Sequence, residues 1–132
     1  MKPMTVPRQK KLTWKTFSEY IRTRDADWKG DCTCITCGVV KPIKEMQAGH
    51  FIQGRHNSIL FDERNVHAQC YSCNVMKYGN SLKYYRFMEG KYGDEVIREL
   101  EAKDAESKSF TVDELKEIRA HFKKKLEELN GN

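Results

Sequence analysis

Apolar side chains recur at helical spacing near both ends of the chain and lose that spacing in the middle. Leu12, Trp14, Phe17, Ile21 and Trp28 return at intervals near 3.6 residues with Tyr20 alongside, which predicts an amphipathic helix from about Leu12 to Asp27 with its aromatics in a core. Leu115, Ile118, Phe122, Leu126 and Leu129 make a second stripe, over Val112–Leu129. Thr111 and Glu114 open that helix as a capping box, and Gly131 follows its end. Ser81–Tyr92 and Asp94–Lys103 read as shorter helices divided by Gly93, with Asp104–Ser109 as a polar linker. In the middle, Glu45–Ile52 and Phe61–His67 read instead as the strands of a hairpin. Their connection, Gln53–Ser58, is long and polar, a type of loop that often carries function. A further helix opens after Cys73 and pauses at Gly79-Asn80.

The pattern predicts an α+β fold, mainly α, in a single domain. Residues 1–10 read as a basic arm, 11–30 as an N-terminal helix, 31–92 as a cysteine-bearing core and 93–132 as C-terminal helices. With 132 residues and 39% hydrophobic content, one modest core is the limit, so a metal staple would matter to stability. No stretch approaches the roughly 18 consecutive apolar residues of a membrane span, and Met1–Lys11 has no apolar run of signal-peptide length. The expected setting is therefore cytoplasmic, with no membrane partner. The net charge is +5, and residues 1–92 hold sixteen of the 24 basic side chains but only eight of the 19 acidic ones. That bias suits a polyanion such as nucleic acid. Arg22, Arg24, Arg55, Arg64, Lys77 and Lys83 are the candidate DNA contacts, with solvated surface as the plainer reading.

Chemistry concentrates between Cys34 and Asn74. Cys34-Ile-Thr-Cys37 and Cys70-Tyr-Ser-Cys73 supply four thiolates, the number a structural Zn2+ ion takes in tetrahedral geometry. In a reducing compartment such pairs are metal ligands more often than disulfides. Cys32 is the odd thiol, either free or a competitor of Cys34. Within this frame His50 ends a strand and can serve as a general base, because imidazole titrates near neutral pH. Asn74 follows the last cysteine, whose bound metal would aim its side chain. Its neutral oxygen suits a hard ion such as Mg2+. Asn65 can hydrogen-bond loop backbone and hold the strand of His50 in place. His67 is a second ligand of the catalytic ion, a phosphate contact or a packing residue, and Gln69 stands beside it. Each has a structural alternative: a satisfied core histidine, a turn asparagine, a helix cap.

In combination these residues resemble the phage lambda NinG (Rap) family of recombination endonucleases, within the HNH (ββα-metal) nuclease superfamily in a His-Asn-Asn form. The resemblance is carried by Phe17-Ser-Glu-Tyr-Ile-Arg-Thr-Arg-Asp25-Ala-Asp27, Cys34-Ile-Thr-Cys37-Gly38, Ala48-Gly49-His50-Phe51, Phe61-Asp-Glu-Arg-Asn65-Val-His67-Ala-Gln69-Cys70, Cys73-Asn74 and Gly79-Asn80, with Phe110–Leu115 in the tail. It implies a zinc-bound ββα-metal core and a structure-selective DNA endonuclease acting on D-loops and Holliday junctions with Mg2+ or Mn2+. His50 would be the base, Asn74 the ligand of the catalytic ion and Asn65 the loop-ordering residue. Many superfamily members carry an acidic ligand immediately before the base, where this chain has Gly49. The ion would then rely on Asn74, water and DNA, or recruit Asp62 or His67. A homodimer, with the last helix as its candidate interface, and phage or host recombination proteins are the expected partners. The alternative is a non-catalytic zinc-knuckle protein that binds DNA or serves recombination as an accessory, with His50 and Asn74 structural.

Overall fold

Thr5 opens the first helix of the computed structural model, which describes residues 2–131. Its hydroxyl accepts from the Arg8 amide, and Pro7 occupies the first turn, where no backbone donor is needed. Helix α1 therefore runs Val6–Arg24, and the second half of the expected basic arm is its start. The far end also differs from the periodicity. Asp25 caps the helix, accepts from the Ala68 amide at 2.8 Å and pairs with Arg24, so the chain turns there. Trp28 lies beyond that turn and is 89% exposed, not in the core.

One face of α1 is built from Phe17, Tyr20 and Ile21, which pack on Phe122 of α4 (Val112–Leu129), with the Phe17 and Phe122 rings 4.7 Å apart. Thr13 donates to the Leu115 carbonyl at 2.8 Å, fixing the register of the two helices. Ile118 and Leu126 complete the seam. The apolar stripe of α4 is thus spent on α1 and does not offer a free dimer face, apart from the half-exposed Leu129. The capping box of Thr111 and Glu114 is formed in both directions.

Between these helices lie two small antiparallel ribbons. Strands β1 (Asp31–Thr33) and β2 (Val40–Pro42) flank the first cysteine pair. Strands β3 (Gln47–His50) and β4 (Val66–Gln69) pair Gln47 with Gln69, Ala48 with Ala68, Gly49 with His67 and His50 with Val66. The second strand begins later than the hydrophobic run Phe61–His67 suggests. Ile59 and Leu60 are buried in a turn, and Asp62 caps a 3-10 turn over Glu63–Asn65. Ala48 and Val66 face α1, whereas Gly49 and His67 face the other side, toward α2 (Ser81–Tyr92).

After β4 the chain enters a π-helical turn, Ser72–Met76, and then a run of left-handed residues, Tyr78, Gly79 and Asn80. The helix expected to open after Cys73 is therefore one wide turn, a geometry common at functional sites. Helix α3 (Asp94–Asp104) packs on α2 through Tyr84, Met88, Ile97 and Leu100. The architecture is α+β with mainly helical content, and no described helix is long and apolar enough to cross a membrane.

Candidate functional site

The sulfurs of Cys34, Cys37, Cys70 and Cys73 lie within 4.8 Å of one another, a cluster that could hold a zinc ion. Cys34 follows β1, and its amide pairs with the Val39 carbonyl to close the first knuckle, in which Gly38 takes φ +83°. Cys70 and Cys73 bracket the entry to the π-helical turn, and the Cys73 amide donates to Cys70 Sγ at 3.4 Å. Cys32 stands apart. Its thiol donates to the Arg22 carbonyl at 3.0 Å, and burial, reinforced by nearby Asp25, pushes it up to about 11. It is an inert core thiol, not a competing ligand.

His50 ends β3 and is 8% exposed. Its imidazole stacks on Trp14, with centroids 5.1 Å apart and planes inclined at 19°. Nε2 lies 3.4 Å from the Leu60 carbonyl, which can only accept, so Nε2 carries the proton and Nδ1 keeps its lone pair. Burial, and then the positive charge of Arg55, push this imidazole down to about 4. His50 is accordingly neutral near pH 7 and able to accept a proton. The Arg55 guanidinium sits 4.4 Å from the Trp14 ring centroid, on a residue held at φ +53°. His50, Arg55, Gln53, Gly54, Ala48 and Asn74 line one open cleft of about 380 Å³.

Asn65 is fully buried and grips the loop that follows His50. Its side chain accepts from the Ile52 amide at 2.9 Å and donates to the Ile52 carbonyl at 3.2 Å, while its own carbonyl receives the Phe51 amide. Asn74 donates through Nδ2 to Gln47 Oε1 at 2.7 Å. Its Oδ1 turns to the face of Gly49, 3.0 Å from where a Cβ would stand. The same Cβ would collide with Gln69 Oε1, so the space beside Gly49 is taken by a glutamine of the neighbouring strand.

The structure corrects the expectations for Arg24, Arg64 and Asp62, and of the three readings of His67 it bears out packing. His67 is 1% exposed and wedged between two phenols, with Nδ1 at 3.0 Å from Tyr84 Oη and Nε2 at 2.8 Å from Tyr92 Oη. Because Tyr84 donates its own proton to the Gly49 carbonyl, His67 donates from Nδ1 and accepts at Nε2. Neither nitrogen is left for a metal or a phosphate, and burial pushes the ring down to about 3. Arg24 is turned inward: it pairs with Asp25 and donates to the carbonyls of Glu63 and Val66, both at 2.8 Å. Arg64 is held by Asp62 and Glu99, and Asp62 also takes Lys103 and is no free ligand. The remaining basic candidates differ from these. Arg22 spends part of its guanidinium on Ser18 and Ile43 yet lines the continuation of the cleft beside Arg55 and Asn74. Lys77 and Lys83 are exposed, flanked by the exposed Met76, Tyr78 and Leu82.

Trp14 and Gln47 are site residues that periodicity and spacing do not single out as functional, and Gln69 is singled out only as a neighbour of His67, with no role of its own. Trp14 was legible only as core, and the two glutamines declare themselves only through strand register, which sets them directly opposite each other.

A family model described as Bacteriophage Lambda NinG protein matches residues 5–131. The protein ninG of Escherichia phage lambda is 31% identical over 123 residues, covering 92% of this chain and 57% of that protein. Those of Escherichia phage 933W and Salmonella phage P22 are each 32% identical over 123 residues, 92% of this chain and 58% of theirs. The chain thus spans less than two thirds of the length of these relatives. No solved structure matches it.

Proposed function

The chain belongs to the bacteriophage lambda NinG family, and we propose that it is a metal-dependent DNA endonuclease of the HNH type that hydrolyses phosphodiester bonds in branched recombination intermediates such as D-loops and Holliday junctions. One observation carries the reading: a neutral imidazole with a free Nδ1 shares a cleft with an asparagine amide and an arginine. Those are the groups that phosphodiester hydrolysis requires: a base for water, an oxygen ligand for a hard cation and a positive charge for the phosphate. His50 takes the proton of the attacking water at Nδ1. Its stacking on Trp14 and the Asn65 grip on the following loop hold that lone pair in one direction. Arg55 binds the phosphate and excludes bulk water from the ring.

Asn74, with Nδ2 spent on Gln47, presents Oδ1 as a neutral ligand that suits Mg2+ or Mn2+. When bound, such an ion supplies Lewis-acid stabilisation of the phosphorane and of the leaving oxygen. The four-cysteine cluster anchors the turn from which Asn74 projects. Recognition of branched DNA rests on phosphate contacts from Arg22, Arg55, Lys77 and Lys83, and on the exposed Tyr78 and Met76 as platforms for bases unstacked at a branch point.

The test is cleavage of an end-labelled four-way junction beside a linear duplex of the same sequence, with Mg2+ or Mn2+, by wild type and His50→Ala. Preferential cutting of the junction by wild type, with binding but no cutting by the variant, is expected. If both bind and neither cuts, the protein is a zinc-knuckle accessory factor instead, a reading that the bare Gly49 would favour.

A further inference from the structure

Among buried side-chain polar atoms of the described residues, Gln69 Oε1 has no hydrogen-bond partner. Gln69 itself is fully buried, on the strand that pairs with the His50 strand. A buried amide oxygen without a donor costs stability, so its persistence calls for an explanation. Rotating the amide offers no relief. Nε2 already donates to the Gly79 carbonyl at 2.9 Å and to Thr36 Oγ1 at 3.1 Å, and exchanging the two ends would set one carbonyl oxygen against another. The Thr36 hydroxyl in turn lies 3.3 Å from Cys34 Sγ, which as a thiolate accepts its proton. The cysteine cluster thereby orients Thr36, Thr36 and Gly79 orient Gln69, and Oε1 is forced over the Cα of Gly49.

A second oxygen meets it there. Asn74 Oδ1 approaches the same point above Gly49, its amide nitrogen being engaged by Gln47. Two acceptor oxygens thus converge on one spot with no N–H or O–H between them. Neither oxygen receives a hydrogen bond from a described residue, so the lone pairs of both are free for a cation. The glycine is required for this arrangement, since a Cβ at position 49 would fill the space.

We infer that Gln69 and Asn74 together form a two-oxygen seat for a hard divalent cation, with Gln69 standing in for the carboxylate that Gly49 cannot supply. This deepens the nuclease reading and rests on it for the role of the ion, though the seat itself follows from the amide geometry. An ion held by neutral amide oxygens keeps most of its waters, because Mg2+ and Mn2+ surrender them reluctantly to uncharged ligands. Only the Asn74 half of the seat lines the cleft of His50 and Arg55, and Gln69, fully buried, lies behind it. Such a site binds weakly alone and tightens when substrate phosphates complete it.

The experiment is a Mn2+ titration of the zinc-loaded protein, read by loss of the free-ion signal in electron paramagnetic resonance, for wild type, Gln69→Met, Asn74→Asp and His50→Ala. Melting temperature and zinc content are measured beside it. Wild type should take up one Mn2+, Gln69→Met should bind about tenfold more weakly or worse with zinc retained, and His50→Ala should bind as wild type does. Asn74→Asp, which places a carboxylate beside Gln69 Oε1, should bind more tightly than wild type and gain more in melting temperature on adding Mn2+. This arm holds even if Gln69→Met fails to fold. Equal binding by wild type and a folded Gln69→Met, no uptake by wild type up to millimolar Mn2+, or no tightening in Asn74→Asp overturns the seat. Junction cleavage separates the two readings: cutting with binding indifferent to Gln69 removes the seat alone, and binding dependent on Gln69 without cutting removes the nuclease alone.

Discussion

The imidazole of His50 lies nearly parallel to the indole of Trp14, 5.1 Å between centroids, and the Arg55 guanidinium lies 4.4 Å from the centre of that same indole. The indole keeps water from the imidazole and positions a cation near it, and both effects favour neutral imidazole. If His50 is the base, its ionisation in the free enzyme sets the acid limb of kcat/KM near its depressed value of about 4, not near the ordinary 6.5. Bound phosphate screens Arg55, so the limb of kcat should lie at higher pH than that of kcat/KM. Trp14→Ala admits water and should move the kcat/KM limb up further than Arg55→Gln, because burial is the larger of the two causes. Junction-cleavage rates between pH 4 and 8 check this, and a limb that stays put in both variants assigns the ionisation to another group.

His50 and His67 also tie stability to pH. Both are held below the unfolded value of 6.5, at about 4 and about 3, chiefly by burial. Between those values and 6.5 the unfolded chain binds protons that the folded chain does not, so acid favours unfolding. The contribution is complete above about pH 6.5 and is lost as pH falls through about 4 and then about 3. Urea midpoints should be level from pH 7 to 8 and decline from 6 to 4. In His50→Gln the decline should become shallower, because one of the two protonation sites is gone. An unchanged slope would show that His50 is not buried as a neutral ring.

The sequence made the cysteine frame, the capping box of α4 and the order of helices and hairpin legible, because each is set by neighbours within a turn or by ligand count. It was silent wherever distant chain segments decide. Trp14 and Trp28 share one periodicity, yet Asp25 is captured by Arg24 and the Ala68 amide, so the helix stops and only Trp14 reaches the site. Arg24, Arg64 and Lys77 look alike as letters. Arg24 is drawn inward by the carbonyls of Glu63 and Val66 and Arg64 is held by Glu99 as well as its neighbour Asp62, and those long-range contacts depend on how α1, α3 and the hairpin loop dock. The role of Gly49 needed the register of β3 against β4, which a pattern of alternating residues does not fix to the residue here.

Cys32 and Cys37 offer a matched pair of substitutions. Cys32→Ser removes a thiol bonded to the Arg22 carbonyl outside the cluster and should leave metal binding intact. Cys37→Ser removes one of the four clustered sulfurs and should weaken metal binding severely, although Cys37 is exposed and Cys32 is fully buried. Co2+ substitution reads this directly, since a four-thiolate site gives intense tetrahedral absorption bands. Wild-type-like bands in Cys37→Ser, or their loss in Cys32→Ser, would reverse the ligand assignment.

Arg24 and Lys77 should separate stability from DNA binding. The Arg24 guanidinium pairs with Asp25 and donates to two backbone carbonyls of the segment leading into β4, so Arg24→Ala strands three acceptors at once. Hydrogen bonds to a charged donor contribute more than neutral ones, and the loss should be on the order of 3 kcal/mol, read as a lower urea midpoint. Lys77 is exposed and makes no side-chain hydrogen bond or ion pair among those of the described residues. Lys77→Ala should therefore leave the midpoint unchanged within about 0.5 kcal/mol. If Lys77 meets a phosphate, its loss should weaken junction binding whatever the base sequence and reduce the slope of log affinity against log salt by about one. The double substitution Lys77→Ala with Lys83→Ala should reduce it by about two. Binding that is unchanged in both, with the salt slope intact, would move the DNA away from the π-helical turn and onto the Arg22 and Arg55 side of the cleft, where the same measurement on Arg55→Ala would find it.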